Sequence, residues 1–177
     1  MSKILVVYYS RSGTAQAVSI ELAKELGADV EVISEKRSRK GFFGFMRSGY
    51  EATTEKSACI GASVRNPALY DVVVIGGPTW NGSLSSPVRA YLERHQGFCK
   101  RLAFFRTCGG DGEDRVFAQM AEEAGKQPIA TLTARQADVE SGAAKPAIIA
   151  FAKQVRGLVT PLVPRISERP PLAASLN

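Results

Sequence analysis

Ser10-Arg11-Ser12-Gly13-Thr14-Ala15 lies between an apolar run and a stretch with helical spacing. Unpaired backbone N–H groups and the positive end of a helix dipole make such a strand-to-helix turn an anion site. Hydroxyls at Ser10, Ser12 and Thr14 add donors, Arg11 adds charge, and Gly13 lets the backbone come close. A charge-assisted hydrogen bond to phosphate contributes about 1.5–3 kcal/mol, so several together offset the desolvation of a dianion. The competing reading is that the Ser and Thr residues merely cap the helix.

Two further loops complement the first. Gly76-Gly77-Pro78-Thr79-Trp80-Asn81-Gly82 contains the sole tryptophan of the chain. On a loop shaped by Gly and Pro this Trp80 is expected to be exposed, where it can stack on a planar ligand for about 0.5–1.5 kcal/mol beyond area burial. The alternative is packing onto the helix beneath. Thr107-Cys108-Gly109-Gly110-Asp111-Gly112 carries three glycines, which let backbone amides turn toward a flat ligand. Cys108 reads as a small packing residue rather than a reactive thiol.

Other chemistries are excluded at the same positions. GxxxxGK[ST] and GxGxxG are both missing. A response-regulator receiver needs acidic residues after the first strand, and a low-molecular-weight tyrosine phosphatase needs a cysteine in the first loop; neither is there. Cys59, Cys99 and Cys108 show no CxxC spacing, so neither a disulfide framework nor a metal site is expected. No acid, base or nucleophile stands out as catalytic. His95, the only histidine, falls at the end of a predicted helix and reads as a solvent-facing or helix-terminal charge.

The elements that must hold these loops follow from periodicity. Residues 3–9 form a β-branched and aromatic run typical of a strand buried on both faces. Ala17, Ile20, Leu22, Ala23 and Leu26 then predict a helix from Thr14 to a stop at Gly27. Strands are expected at 29–34, 70–75, 102–106 and 129–132. Helices are expected at about 85–95, with Pro87 in the first turn, at 113–125 and at 143–158.

This alternation predicts an α/β fold: a doubly wound five-stranded parallel sheet in the order 2-1-3-4-5 with helices on both faces. A ligand then sits beyond the carboxyl ends of the strands at the switch point, where the three loops meet. Residues 1–159 make one domain, and the Pro-rich stretch 160–177 reads as an extended tail. Residues 42–50, with Phe42, Phe43, Phe45 and Tyr50, suit a lid over the site or a subunit contact in a homodimer.

Bulk properties set the remaining limits. The 45% hydrophobic and 23% charged fractions are those of a globular protein. No apolar run approaches the ~20 residues that span a bilayer, and the apolar part of the start is too short for a signal peptide. A cytoplasmic protein without membrane partners is expected. The net charge is +6, but the basic residues are scattered apart from Lys36-Arg37-Ser38-Arg39-Lys40. That run reads as a solvated loop, and no nucleic-acid partner is expected.

Ser10-Arg11-Ser12-Gly13-Thr14-Ala15, directly after a buried strand, resembles the phosphate loop of the flavodoxin family. The resemblance spans residues 3–157 and recurs at the other two loops. It implies FMN, with its phosphate on the first loop. The main chain of Thr79, Trp80, Asn81 and Gly82 would lie against the flavin ring after Pro78, and Thr107, Cys108, Gly109, Gly110 and Asp111 at its pyrimidine end. Many members have another hydroxyl or amide side chain where this chain has Ala15, and often a second aromatic after the third loop, missing here before Phe117. The basic balance and the uncovered ring imply an NAD(P)H-dependent reductase of quinones or other small acceptors. The alternative is an electron carrier between redox protein partners.

Overall fold

β1 (Ile4–Tyr8) is buried along its whole length, as an unbroken apolar run requires of a strand covered on both faces. The computed structural model describes residues 2–35, 58–110 and 115–159. After β1 come α1 (Thr14–Leu26), β2 (Asp29–Val32), a 3-10 turn at Pro67–Leu69 and β3 (Val72–Trp80). Next are β4 (Ser83–Leu84), α2 (Ser86–Arg94), β5 (Leu102–Cys108) and α3 (Arg115–Ala124). β6 (Thr131–Arg135), α4 (Gln136–Ser141) and α5 (Lys145–Val159) complete the order.

Five strands pair in parallel as β2-β1-β3-β5-β6. This is the doubly wound order expected from the sequence. Side-chain alternation divides the core between two faces. Leu5, Val7, Val73, Ile75, Leu102 and Phe104 meet Val88, Tyr91 and Leu92 of α2 and Val116 and Met120 of α3. Val6, Val72, Val74, Ala103 and Phe105 meet Val18 and Leu22 of α1 and Ile148, Phe151 and Val155 of α5. β6 is an outer strand whose Leu132 and Ala134 point inward while Thr131, Thr133 and Arg135 are exposed.

β3 runs five residues further than its expected end at Ile75. Gly76 and Gly77 do not break the strand; they are required inside it. A Cβ at Gly76 would stand 2.3 Å from the Phe105 ring, and one at Gly77 2.8 Å from Val88. The chain then reverses through Asn81 (φ 49°) and Gly82 (φ 70°), pairing Trp80 with Ser83. Positive φ at both central residues is the mark of a type I′ hairpin, and Asn-Gly is its favoured dipeptide. The Asn81-Gly82 segment is therefore a hairpin turn that adds β4 to the sheet.

The face of α1 also differs from expectation. Ala17 and Ile20 are exposed, and Ala15, Val18, Ser19, Leu22 and Leu26 are buried. These five keep helical spacing, shifted round the helix from the predicted stripe. α4 was not expected; it inserts a short helix between β6 and α5.

His95 caps the C-terminal end of α2, as expected of a helix-end residue, but it does not face solvent freely. It is half-buried, 2.7 Å from Ser63 Oγ through Nε2, and tilted against Tyr91 with ring centroids 4.4 Å apart. Desolvation, followed by the neighbouring Arg94, holds its pKa below the ordinary imidazole value. Arg94 donates to the carbonyls of Gly61 and Ile60, so this end of α2 fastens the 60–63 segment.

Among the described residues no helix is long and apolar enough to cross a membrane, and no cluster of ligands could hold a metal ion. The basic run 36–40, the aromatic segment 42–50, Asp111 and the 160–177 tail lie outside the described residues.

Candidate functional site

The parallel sheet brings the ends of β1, β3 and β5 to one edge, and a cleft opens there among the described residues. Its walls are Arg11, Ser12 and Thr14 from the β1–α1 turn, Pro78, Thr79 and Trp80 from β3, and Thr107, Cys108 and Gly109 from β5. Gln136, the first residue of α4, completes the described lining. Nine of the sequence-predicted residues thus share one cavity, and Gln136 was missed.

Helix capping does not explain the first turn. α1 is N-capped by Gly13 in the left-handed region (φ 96°), with no side-chain cap hydrogen bond. Ser10 Oγ accepts from Gly13 N at 3.1 Å, which shapes the turn without using the helix amides. Ser12 Oγ and Thr14 Oγ1 lie 3.3 Å apart. Ala17 N bonds Gly13 O, so the first-turn amides that precede it have no intrahelical acceptor. The first turn of α1 also contains no acidic residue. Positive potential is therefore concentrated at this end of the cleft.

Ala15 carries no side-chain donor. Its methyl is buried among Val18 and Leu22 on the sheet side of α1. With no polar side-chain atom, the position can serve a ligand only through its amide.

Trp80 corrects the expectation of an exposed ring. It is 8% exposed and meets Tyr9 edge to face, with centroids 5.8 Å apart and planes at 90°. Tyr9 in turn donates through its hydroxyl to Glu35 at 2.8 Å. The indole is thus a cleft wall held from behind. Thr79 Oγ1 is buried with no hydrogen-bond partner, although buried polar groups are almost always paired. Cys108 is a buried free thiol, as a packing residue should be. A Cβ added at Gly82, Gly109 or Gly110 would meet nothing within 4 Å, so these positions border open space rather than packed core.

A family model described as flavodoxin matches residues 3–134. The chain belongs to the flavodoxin family. Among solved structures, a flavoprotein of Lactobacillus acidophilus NCFM in complex with FMN superposes with a TM-score of 0.67 at 19% identity. The match covers 80% of this chain and 98% of that one. The flavodoxin, WrbA-like protein of Agrobacterium tumefaciens gives a TM-score of 0.55 at 14% identity, covering 89% and 97% of the two chains. At these identities the likeness establishes the flavodoxin fold.

Curated sequence relatives also match. The NAD(P)H dehydrogenase (quinone) of Cupriavidus metallidurans is 30% identical over 110 residues, covering 62% of this chain and 55% of the relative. NAD(P)H dehydrogenase (quinone) 3 of Rhizobium meliloti is 33% identical over 106 residues, covering 55% and 45%. The chain spans about half the length of these curated relatives.

Proposed function

We propose that the cleft binds FMN and that the protein is an NAD(P)H-dependent reductase of quinones or similar small acceptors. The observation that carries the reading is the uncapped start of α1, opening onto the cleft that Thr79 and Trp80 wall. Anion-binding amides at one end and the Trp80 indole on the wall fit a ligand with a phosphate and a planar ring. The names of the quinone dehydrogenase relatives support the choice of reaction.

Ser10, Ser12, Gly13 and Thr14, with Arg11, would hold the phosphate, while Ala15 offers only its amide. Pro78 to Gly82 would flank the ring from β3 and its hairpin, and Thr107 to Gly110 would flank it from β5; Asp111 belongs to the same assignment. FMN bound there would supply hydride and electron transfer. The protein's part is to bind, orient and exclude water. Trp80, fixed by Tyr9, gives a rigid apolar wall, and the described cleft lining contains no carboxylate.

The test is anaerobic mixing of the FMN-loaded protein with NADPH or NADH, followed by a quinone. Rapid bleaching of the flavin bands and their return on adding quinone are expected. Bleaching by dithionite but by neither nucleotide would instead make the protein a carrier served by a partner reductase.

A further inference from the structure

Resting on the reading that FMN occupies the cleft, we propose that Gln136 anchors the ribityl chain. Its Oε1 accepts a hydrogen bond from a polyol hydroxyl. Gln136 directly follows Arg135, which pairs in register with Cys108 at the end of β5. That register carries Gln136 just past the carboxyl edge of the sheet, where α4 packs against α1. It there lines the same cleft as Ser12, Thr14 and Thr107.

The orientation of the amide follows from its neighbour. Gln136 Nε2 donates to Glu140 Oε1 at 2.7 Å, one helical turn on. An ionised carboxylate only accepts, so the nitrogen must face Glu140 and the carbonyl oxygen is the other end of the amide. A fixed carbonyl acceptor selects a donor. Phosphate offers none at neutral pH and would be repelled. The polyol chain offers hydroxyls, and the ring imide N–H is the remaining donor of oxidised FMN. Phosphate and ring already have their walls at the α1 turn and at Thr79–Trp80, which leaves the polyol for Gln136.

Dissociation constants of FMN, riboflavin and lumiflavin separate these contacts. They are measured by flavin fluorescence and, for the weaker ligands, by competition, on wild type and Gln136→Met. Methionine keeps the length of the side chain and removes the amide. Gln136 is exposed, so an unchanged melting temperature is expected and serves as the folding control. FMN and riboflavin should each bind about 5- to 10-fold more weakly, the loss of one neutral hydrogen bond, and lumiflavin equally well. Loss for FMN alone would place Gln136 on the phosphate, and equal loss for all three would place it on the ring; either overturns the proposal, as does no loss. Failure of the wild type to bind FMN would instead sink the cofactor reading itself.

Discussion

Gly76→Ala is expected to destabilise the fold severely. A Cβ there would lie 2.3 and 2.4 Å from two ring carbons of Phe105 and 2.4 Å from the Phe105 carbonyl oxygen. Optimal carbon contacts lie near 3.5–4.0 Å, so the overlap exceeds about 1 Å. Phe105 is fully buried, and a rotation of its ring would leave the carbonyl clash in place. Gly76 pairs with Phe105 in the β3–β5 ladder, so relief requires the two strands to separate locally. Overpacking in a well-filled core costs about 1–3 kcal/mol, and a double clash that includes backbone belongs at about 3 kcal/mol. For a domain of this size each kcal/mol lowers Tm by roughly 2–4 °C, so a fall of about 6–12 °C is expected. Urea unfolding followed by far-UV circular dichroism measures the loss. Gly109→Ala is the control: nothing lies within 4 Å of its added Cβ, and a change under about 0.5 kcal/mol is expected. A Gly76→Ala midpoint indistinguishable from wild type would refute the argument that close packing, and not a chain break, placed glycine here.

Stability should fall as pH drops below the ordinary imidazole range. His95 has a folded pKa below 6.5, so the unfolded chain binds more protons there; its contribution is complete above the unfolded value and lost through the folded one. His95→Asn should flatten this dependence, and NMR of the sole imidazole should show titration below 6.5. Glu123→Ala should cost about 2–4 kcal/mol by stranding the 3%-exposed Arg89, whose Nη1 pairs with Glu123 and whose Nε and Nη2 have no partner. Arg89→Met, which removes the buried charge along with its unmet donors, should cost less than about 1 kcal/mol in the same urea titration. Ellman's reagent should modify exposed Cys59 rapidly in the native protein and buried Cys99 and Cys108 only on unfolding; burial pushes the Cys99 thiol up to about 11.

The sheet was legible because β1, β3 and β5 are buried on both faces, which leaves unbroken apolar runs in the sequence. The carboxyl half of β3 was not, because Gly76, Gly77 and Pro78 carry the composition of a turn. Their role inside a strand depends on Phe105 and Val88, which are distant in sequence. The hairpin did have a local signal in Asn81-Gly82. The buried face of α1 was misphased because Ala17 and Ile20 share its spacing, and only the sheet beneath decides which stripe is covered. Of the cleft, the three loops that line it could be read from their own residue types, since Gly, Ser and Thr mark the turns that end buried strands. Gln136 has no such signal, because the register of an outer strand brings it to the cleft. Ser63 and His95 meet across 32 residues for the same kind of reason.

FMN binding in the cleft beyond β1, β3 and β5 is read out by titrating the apoprotein with FMN while recording Trp80 fluorescence and the flavin absorbance. Trp80 is the sole tryptophan and a wall of the cleft. Saturable quenching with one FMN per chain and a shifted flavin spectrum is predicted, with both signals weakened in a Ser12→Ala, Thr14→Ala double variant. An unquenched Trp80 and an unperturbed flavin spectrum at saturating FMN would contradict it.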